Sequence, residues 1–527
     1  MNKTQLLLLG IALIMSKPLH AQEATRPTGS SDEIYFKKHP LRYRFSFEPL
    51  KMTGEPNLGM VGIGADWFLV PQLPNLYLTL NSYSAVTGNR PGLITFGTGV
   101  GYHQPLFNSR LALDAGVYIG GGGGGGAPDG GGLITRQHLS VLYHLNKVGL
   151  MAGYSRMDFP TGDMGSNQFH AGISLSSIFH TAHPRQIQNR SNSDEPISGE
   201  PSTSTSLTRV SVLGLQYLNF QDGPTDLPRN SERNIGLLGI GIDHFFHDDF
   251  YATLKLHGAV TGGVDGYMSY LIGIGYEKPL GRGSWSLDGQ LLAGPSGGGQ
   301  ATTGGGGIVQ GNVGVRKALG SAYSLKAALG QSVAPEGGFT GTFAEVSLSR
   351  SLTFRYPTGE TIHYTLQNDD QSHHFSVEIL NRTYRSPDAL DKSGLPYDEY
   401  FNLLGFQIGK KLNKHLSAIG STYWAYQGSY GAYAEGLVGL RYEYPISPQG
   451  WDLRFQGLVG AAGGGGIDLG SGLVFQYSAG ISKTLSDTWA LSLDGGQMQG
   501  LRGNFKPLFL DLGVAYRFSQ IEKLLMR

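Results

Sequence analysis

The feature that most constrains this chain of 527 residues is a passage that recurs three times in one order. NLGMVGIGADWF begins at Asn57, and NIGLLGIGIDHFF begins at Asn234. A later landmark reads GTGVGYHQPL from Gly97, IGIGYEKPL from Ile272 and VGLRYEYPI from Val438. Landmarks that return in one order at one spacing indicate a unit of roughly 140 to 170 residues, present three times. The fold class deduced for one copy must therefore hold for all three.

Within each copy, apolar residues alternate with small or charged residues, which is the period-two pattern of β-strands. Val61, Ile63 and Ala65 fall on one face, whereas Gly62 and Asp66 fall on the other. The first copy contains eight such runs, at residues 41–52, 58–70, 75–86, 93–103, 110–120, 131–143, 148–157 and 167–179. A tilted strand needs about 9 to 11 residues to cross a bilayer, whereas soluble strands average five or six. The sequence therefore predicts about 24 membrane-crossing strands.

Composition agrees with a membrane barrel. The chain has 81 glycines, 40% hydrophobic residues, 15% charged residues and a mean hydropathy of −0.16. This is too apolar for a disordered chain and too polar for a helical membrane protein, but it suits strands whose alternate residues face lipid. A formal net charge of zero argues against a nucleic-acid partner. The absence of cysteine excludes a disulfide framework and a thiolate metal site.

The pattern divides the chain into a targeting segment, three repeats and two linkers. The basic start MNK, the apolar run LLLLGIALIM and Ala21 are typical of a secretory signal peptide that is cleaved near Ala21. The predicted divisions are a signal peptide (1–21), a polar N-terminal segment (22–40), repeat 1 (41–179), a polar linker (180–207), repeat 2 (208–356), a second polar linker (357–373), repeat 3 (374–519) and a tail (520–527).

The connections between predicted strands alternate between two kinds. Short turns such as VPQLPN and LSDT alternate with longer or glycine-rich loops such as VTGNRPG and DFPTGDMGSN. Outer-membrane barrels have short periplasmic turns and long outer loops. Four tryptophans, Trp67, Trp285, Trp451 and Trp489, fall at the short-turn ends of strands, which predicts an aromatic girdle at one interface. Both linkers fall on the same, periplasmic side.

The final strand, PLFLDLGVAYRF, places Leu510, Leu512, Val514, Tyr516 and Phe518 on one face. In this respect the chain resembles bacterial outer-membrane proteins, whose last strand ends in an aromatic residue that the barrel assembly machinery reads. The nine residues SQIEKLLMR that follow Phe518 depart from a strictly terminal signal. The resemblance implies a location in a Gram-negative outer membrane, with membrane lipid and the assembly machinery as partners. Periplasmic or surface proteins are further candidate partners.

Two closures are compatible with an all-β, antiparallel transmembrane barrel built from three eight-strand repeats. All 24 strands can form one wide ring, or each copy can form its own ring, since eight strands make the smallest membrane barrel. We favour the single ring, because one chain seldom forms several membrane barrels and duplication is a natural route to enlargement. The long linkers favour three rings.

The polyglycine segments around Gly123, Gly298 and Gly464 are candidate gating or constricting hairpins. They lack the Lys-Ser/Thr and the helix of a phosphate-binding loop. The alternatives are plain flexible loops, or hairpins without side chains because backbone or a ligand approaches closely. Charges on the inward face are expected to pair with one another or line water, or to act as a selectivity filter. These candidates are Asp66, Asp114, Asp243, Asp288, Arg316, Lys326, Glu345 and Asp494.

An enzyme is the least supported reading. The candidate catalytic residues have no counterparts in the other repeats and match no motif. They are His138 with Ser140, His144, and the pair His373 and His374 near Asp369 and Asp370. No catalytic residue, cofactor or metal is therefore expected. The leading hypothesis is a channel or export conduit with glycine-rich gating hairpins. The alternatives are a scaffold or surface receptor that docks partner proteins, and a lipid-modifying or proteolytic barrel.

Overall fold

The computed structural model describes residues 33–523, except 71, 107–109, 183–202, 222–234, 265, 282, 300, 359–362, 366–369, 388–389, 392–393, 397–398, 470–471 and 502–503. The predicted signal peptide and part of the first linker lie outside these residues. The described chain forms 25 β-strands. Within it, no helix is long and apolar enough to cross a membrane.

The first repeat closes on itself as barrel 1. Its strands are β1 (Glu33–Leu50), β2 (Leu58–Trp67), β3 (Leu76–Thr87), β4 (Ile94–Leu106), β5 (Leu111–Gly123), β6 (Ile134–Leu145), β7 (Val148–Asp158) and β8 (Gly165–Ala182). Each strand pairs antiparallel with the next. β8 then pairs with β1, with Tyr43 opposite Leu175, so the ring contains eight strands.

The second repeat forms barrel 2 in the same way. Its strands are β9 (Thr203–Gln221), β10 (Gly236–Phe245), β11 (Phe250–Thr261), β12 (Met268–Pro279), β13 (Trp285–Gly297), β14 (Gly307–Ala318), β15 (Tyr323–Val333) and β16 (Thr340–Pro357). β16 pairs with β9, with Glu345 opposite Leu215. A short strand, β17 (His363–Thr365), follows and pairs with the start of β1.

The third repeat forms barrel 3. Its strands are β18 (Asp370–Arg385), β19 (Tyr400–Lys411), β20 (Leu416–Gln427), β21 (Ala434–Ser447), β22 (Trp451–Gly463), β23 (Leu473–Thr484), β24 (Trp489–Gly500) and β25 (Leu508–Lys523). The ring closes between β18 and β25, with Ile379 opposite Val514.

These pairings confirm an all-β antiparallel fold with 24 barrel strands and decide its closure. The preferred single ring of 24 strands is wrong, because the first and last strands of each copy pair with each other. Eight strands suffice since the interior of such a ring is just wide enough to be filled by side chains. The long linkers, which favour three rings, indicate the closure correctly.

Each barrel has an inner end, where the short turns lie, and an outer end with the longer loops. Several strands extend further at the inner end than the sequence predicts. β1 begins at Glu33 rather than residue 41, and β25 reaches Lys523 rather than residue 519. Here the barrels join: Ser519 of β25 lies opposite Ala182 of β8, and Phe354 of β16 lies opposite Glu522.

The two faces of the strands differ as predicted. Outward side chains are apolar and open, with Val117, Leu139 and Val313 exposed by 52%, 58% and 62%, whereas the inward Asp114 and Asp288 are fully buried. Closed rings with an apolar outer surface satisfy every backbone group within the ring, which is the requirement for crossing lipid with strands.

The strand bounds place Trp67, Trp285, Trp451 and Trp489 at inner strand ends. Two of these rings lie beside a lysine. The Lys317 ammonium lies 5.3 Å from the Trp285 ring centroid, and the Lys483 ammonium lies 5.1 Å from that of Trp451. Aromatic rings with neighbouring cations suit the membrane–water interface, where a ring can pack in lipid while the charge stays in water.

Candidate functional site

The predicted inward charges lie in the barrel lumens and are paired. In barrel 1, Arg42 donates to Asp66 at 2.8 Å and to Asp114 at 2.7 Å. Arg44 pairs with the second oxygen of Asp66 at 2.9 Å, and the Tyr77 hydroxyl donates to Asp114 at 2.8 Å. Both carboxylates are therefore fully buried and held by cations and a hydroxyl.

Barrel 2 repeats this arrangement with different partners. Arg316 pairs with Asp288 at 3.1 Å, and the Lys326 ammonium donates to the other oxygen of Asp288. The Lys255 ammonium donates to both oxygens of Glu345, at 2.6 and 2.7 Å. At the position equivalent to the Arg42–Asp66 pair, Arg209 pairs with Asp243 at 2.9 Å.

In barrel 3 the signs are exchanged. Arg454, in the run WDLR from Trp451, occupies the position of Asp114 in the equivalent run LALD from Leu111. Glu378 occupies the position of Arg44 in the first strand. Arg454 donates to Glu378 at 3.0 Å and lies 3.5 Å from Asp494. The same contact between first and fifth strands is thus an Arg–Asp pair in one copy and a Glu–Arg pair in another.

These networks leave little space in the lumens, apart from a cavity of about 170 Å³ at the inner end of barrel 3, beside Ser376 and Arg441. The cavity inside barrel 1, between Arg44, Arg136 and His138, has a volume of about 10 Å³, at the lower limit for one water molecule. The sequence prediction missed the cations of the first strands and most of barrel 3. The signal was present, since they occupy inward positions of the period-two pattern. The missed residues include Arg42, Arg44, Glu48, Arg136, Arg209, Lys255, Glu378, Arg382, Glu435, Arg441, Arg454 and Asp511.

The polyglycine hairpins lie where neighbouring barrels touch. A methyl group built on Gly92, in the β3–β4 loop of barrel 1, would lie 2.5 Å from the backbone nitrogen of Gly298 in barrel 2. One built on Gly266, in the equivalent loop of barrel 2, would lie 2.6 Å from the backbone nitrogen of Gly464 in barrel 3. We call these contacts the joints.

The third joint completes a cycle. A methyl group on Gly123 of barrel 1 would lie 2.8 Å from the backbone nitrogen of Ala432 in barrel 3. The hairpin of each barrel therefore contacts the loop of its neighbour, and the three barrels form a closed ring with pseudo-threefold symmetry. Of the alternatives for the glycines, close approach of backbone explains their positions, and a gating role stays a prediction.

The outward faces that meet inside this ring enclose a cavity of about 1780 Å³. We call it the shaft. Its walls come from all three barrels and are mostly apolar, with Ile63, Ile240 and Val438 as examples. Glycines of the joints lie at its outer end, and Trp67 and His244 lie at its inner end. The shaft thus runs between the barrels at the depth of their apolar surfaces.

Three equivalent residues crowd together just below the joints. Ile94, Met268 and Ala434 each lie two positions after the joint residue of their own barrel and belong to one apolar cluster with Trp424 and Phe96. The Phe96 and Trp424 rings stack with centroids 6.0 Å apart. All five line the shaft, so this level is a constriction built by the three barrels together.

The histidines considered as catalytic candidates have structural partners. His138 lies in the barrel 1 lumen, 2.9 Å from Asp114, and Ser140 lies 2.8 Å from His170. His373, which the sequence analysis places at the end of the second polar linker, lies buried in β18 and contacts Glu522. Asp369 lies outside the described residues. Among those described, no group of three His, Asp or Glu side chains could hold a metal ion.

Closed antiparallel rings, an apolar outer surface and an interfacial tryptophan girdle define the chain as an outer-membrane β-barrel protein. No protein-family model matches the sequence, and neither does any curated protein.

Among solved structures, Pseudomonas aeruginosa OpdL is 10% identical, covering 93% of this chain and 99% of its own, with a TM-score of 0.21. The outer membrane protein OpdK of the same organism is 10% identical, covering 92% and 98%, with a TM-score of 0.21. Acinetobacter baumannii OccAB3 is 9% identical, covering 93% and 100%, with a TM-score of 0.20. The arrangement in three rings rests on this chain's own strand pairings.

Proposed function

We propose that this protein is a non-enzymatic conduit in the outer membrane of a Gram-negative cell, and that its route is the shaft between the barrels. One observation carries the proposal: the shaft has a volume of about 1780 Å³, whereas the lumen cavity of barrel 1 has about 10 Å³. A cavity of about 170 Å³ at the inner end of the barrel 3 lumen is also far smaller than the shaft. Solutes that cross within the described part of the protein therefore have much more room between the barrels than inside them.

The walls of the shaft indicate what it carries. A buried water molecule needs two to four polar partners. Side chains such as Leu238, Leu254, Ile272 and Val459 offer none. An apolar passage repels ions by dewetting, as hydrophobic constrictions in channels do. The conduit therefore suits apolar or amphipathic molecules.

The constriction at Ile94, Met268 and Ala434 is the proposed gate. It lies directly beneath the joints, so a shift of any glycine hairpin would move one of its three members. The positive φ angles of Gly92 (81°) and Gly298 (91°) belong to glycine backbone packed against the neighbouring barrel. This supports the view that the glycines couple the barrels to the gate.

Two glycines of barrel 3 provide a matched test. A side chain at Gly436 would enter the shaft without meeting an atom within 4 Å. Gly457 of the adjacent β22 is equally open, but it lies outside the shaft lining. We expect wild type and Gly457→Trp to increase cellular uptake of an uncharged apolar fluorophore, and Gly436→Trp to lose most of this increase.

Uptake of a charged hydrophilic fluorophore should be the same for all three proteins. If Gly436→Trp, shown to fold and reach the outer membrane, transports the apolar fluorophore like wild type, the route through the shaft is refuted.

A scaffold that docks periplasmic proteins is the second candidate function. The inner ends of the barrels favour it, because strands extend there and pair across barrels, as at Ser519 with Ala182. The Phe179 and Phe518 rings, from barrels 1 and 3, also pack with centroids 5.2 Å apart. For a scaffold, expression of wild-type protein would change the uptake of neither fluorophore.

A further inference from the structure

We infer that the shaft binds the acyl chains of a two-chain membrane lipid with an amine-bearing headgroup. This deepens the proposed function, on which it rests, by naming the class of molecule that the conduit carries. Three observations support it: the depth of the shaft, the apolar chemistry of its wall, and the sign of the charges that line it.

Depth favours acyl chains over an extended polypeptide. The shaft extends from Trp67, in the interfacial girdle, to the glycines of the joints. It therefore lies at the depth of the hydrocarbon core. An extended peptide would leave its backbone groups unpaired against the apolar wall.

The wall itself is made from the same outward faces that elsewhere meet lipid. Ile242, Leu254 and Leu256 of barrel 2 point into the shaft, whereas Leu291 and Val313 of the same barrel lie outside its lining and are exposed on the surface. Acyl chains can pack equally well against the shaft wall and against the outer surface of the barrels. Each methylene group buried in this way contributes favourably to binding, and no polar partner is required.

The charges that line the shaft point to a headgroup with a cation. Among the described residues, the lining contains the acidic residues Asp129 and Glu336 but no lysine or arginine, and the carboxylate of the bordering Glu435 is held in the barrel 3 lumen by Arg382. Asp129 and Glu336 lie at the outer end, where they accept hydrogen bonds from the backbone of Gly124 (2.8 Å) and Gly88 (3.3 Å). A lipid ammonium group would find complementary charge there, whereas a purely anionic headgroup would meet carboxylates.

The test is native mass spectrometry of the detergent-purified full chain, incubated with a diacyl phospholipid that carries an ethanolamine headgroup. The same lipid with a glycerol headgroup is the comparison. We expect wild type and Gly457→Trp to retain the ethanolamine lipid, and Gly436→Trp to retain it at least about tenfold less, since excluding two methylene groups already weakens binding by that factor. Glu336→Gln should reduce the preference for ethanolamine over glycerol.

Equal retention by Gly436→Trp and wild type would mean that the lipid lies on the outer surface of the barrels, which overturns the inference. Equal retention of both headgroups by wild type would overturn the assignment of the amine. Circular dichroism and heat-dependent gel migration establish that each variant is folded. If Gly436→Trp loses lipid binding but takes up the fluorophore like wild type, the conduit is refuted and the lipid site is retained. If Gly436→Trp loses fluorophore uptake but wild type retains no lipid, the lipid site is refuted and the conduit is retained.

Discussion

At the scale of single residues, the lumens show that a charge pair can be retained while its signs change. Arg44 lies 3.7 Å from Asp114 in barrel 1, and Glu378 lies 3.0 Å from Arg454 at the equivalent positions of barrel 3. A buried charge without a partner is costly, so a substitution at one position is tolerated when the other compensates it. The pair is therefore the unit that the fold requires.

A buried and a partly exposed aspartate of barrel 2 should differ strongly in their effect on stability when each is neutralised. Asp288→Asn leaves Arg316 and Lys326 without their buried carboxylate and should lower the free energy of unfolding by about 3–5 kcal/mol. Asp249→Asn breaks a pair with Lys278, whose side chain is 57% exposed, and should have little effect on stability because water screens this pair. Denaturant unfolding in micelles measures both, and equal losses would contradict the account of the lumen.

Asp129 should make one joint sensitive to pH. Burial raises the pKa of Asp129 from its ordinary value of 3.8 to about 6, and the hydrogen bond from Gly124 opposes this shift. The native state therefore binds the proton more tightly than the unfolded state does. The joint between barrels 1 and 3 should be most stable below about pH 4 and lose up to about 3 kcal/mol as the pH rises to 6.

Hydrogen exchange at this joint, followed between pH 4 and 7 after correction for intrinsic rates, measures the effect. Thr303 occupies the position of Asp129 in the hairpin of barrel 2, so that joint is an internal control. Asp129→Thr should abolish the pH dependence. A dependence that survives this substitution would place its origin elsewhere.

At the scale of elements, the polyglycine hairpins act as contact surfaces. Gly92→Ala adds a methyl group 2.5 Å from the Gly298 nitrogen at a φ of +81°, whereas Gly54→Ala adds one at a φ of +76° in open space. Both substitutions place an alanine at a positive φ angle, which costs about 1–2 kcal/mol of stability in each case. Gly92→Ala should in addition reduce hydrogen-exchange protection of the Gly298 hairpin. Unchanged protection there would mean that the joint is not formed.

The strands should tolerate charge according to depth. Val117 lies midway along β5 and is 52% exposed, so Val117→Arg should cost about 2–4 kcal/mol of stability in lipid. Leu145 ends β6 at the inner interface, where the same substitution should cost about 1 kcal/mol or less. Urea titrations of folding into vesicles compare the two, and a similar cost at both sites would refute the assigned membrane depth.

Much of this fold follows from local pattern. The period-two alternation predicts the strands, their faces and the tryptophan ends, because each depends on a few neighbouring residues. The closure of the rings does not follow from local pattern. β8 can pair with β1 or with β9, and neither choice changes the sequence pattern of any strand. The shaft escapes prediction for the same reason. Ile63 and Ile240 look like other lipid-facing residues, and only the packing of barrels distinguishes them.

At the scale of the whole molecule, three closed barrels in one chain create a space that none has alone. Each lumen is occupied by its own charges, and each outer face is apolar. When the joints hold the barrels in a ring, these faces enclose the shaft. The repetition that dominates the sequence thus has a direct structural consequence: one cavity of about 1780 Å³ between the barrels at membrane depth, with walls from all three copies.

The most direct test of this account is an electron cryo-microscopy map of the full chain in lipid nanodiscs. We predict three rings of eight strands, side-chain density within each ring, and elongated density in the shaft between Trp67 and the glycine hairpins. A single ring of 24 strands, or three rings whose lumens are open and whose central space is closed by protein, would contradict the account.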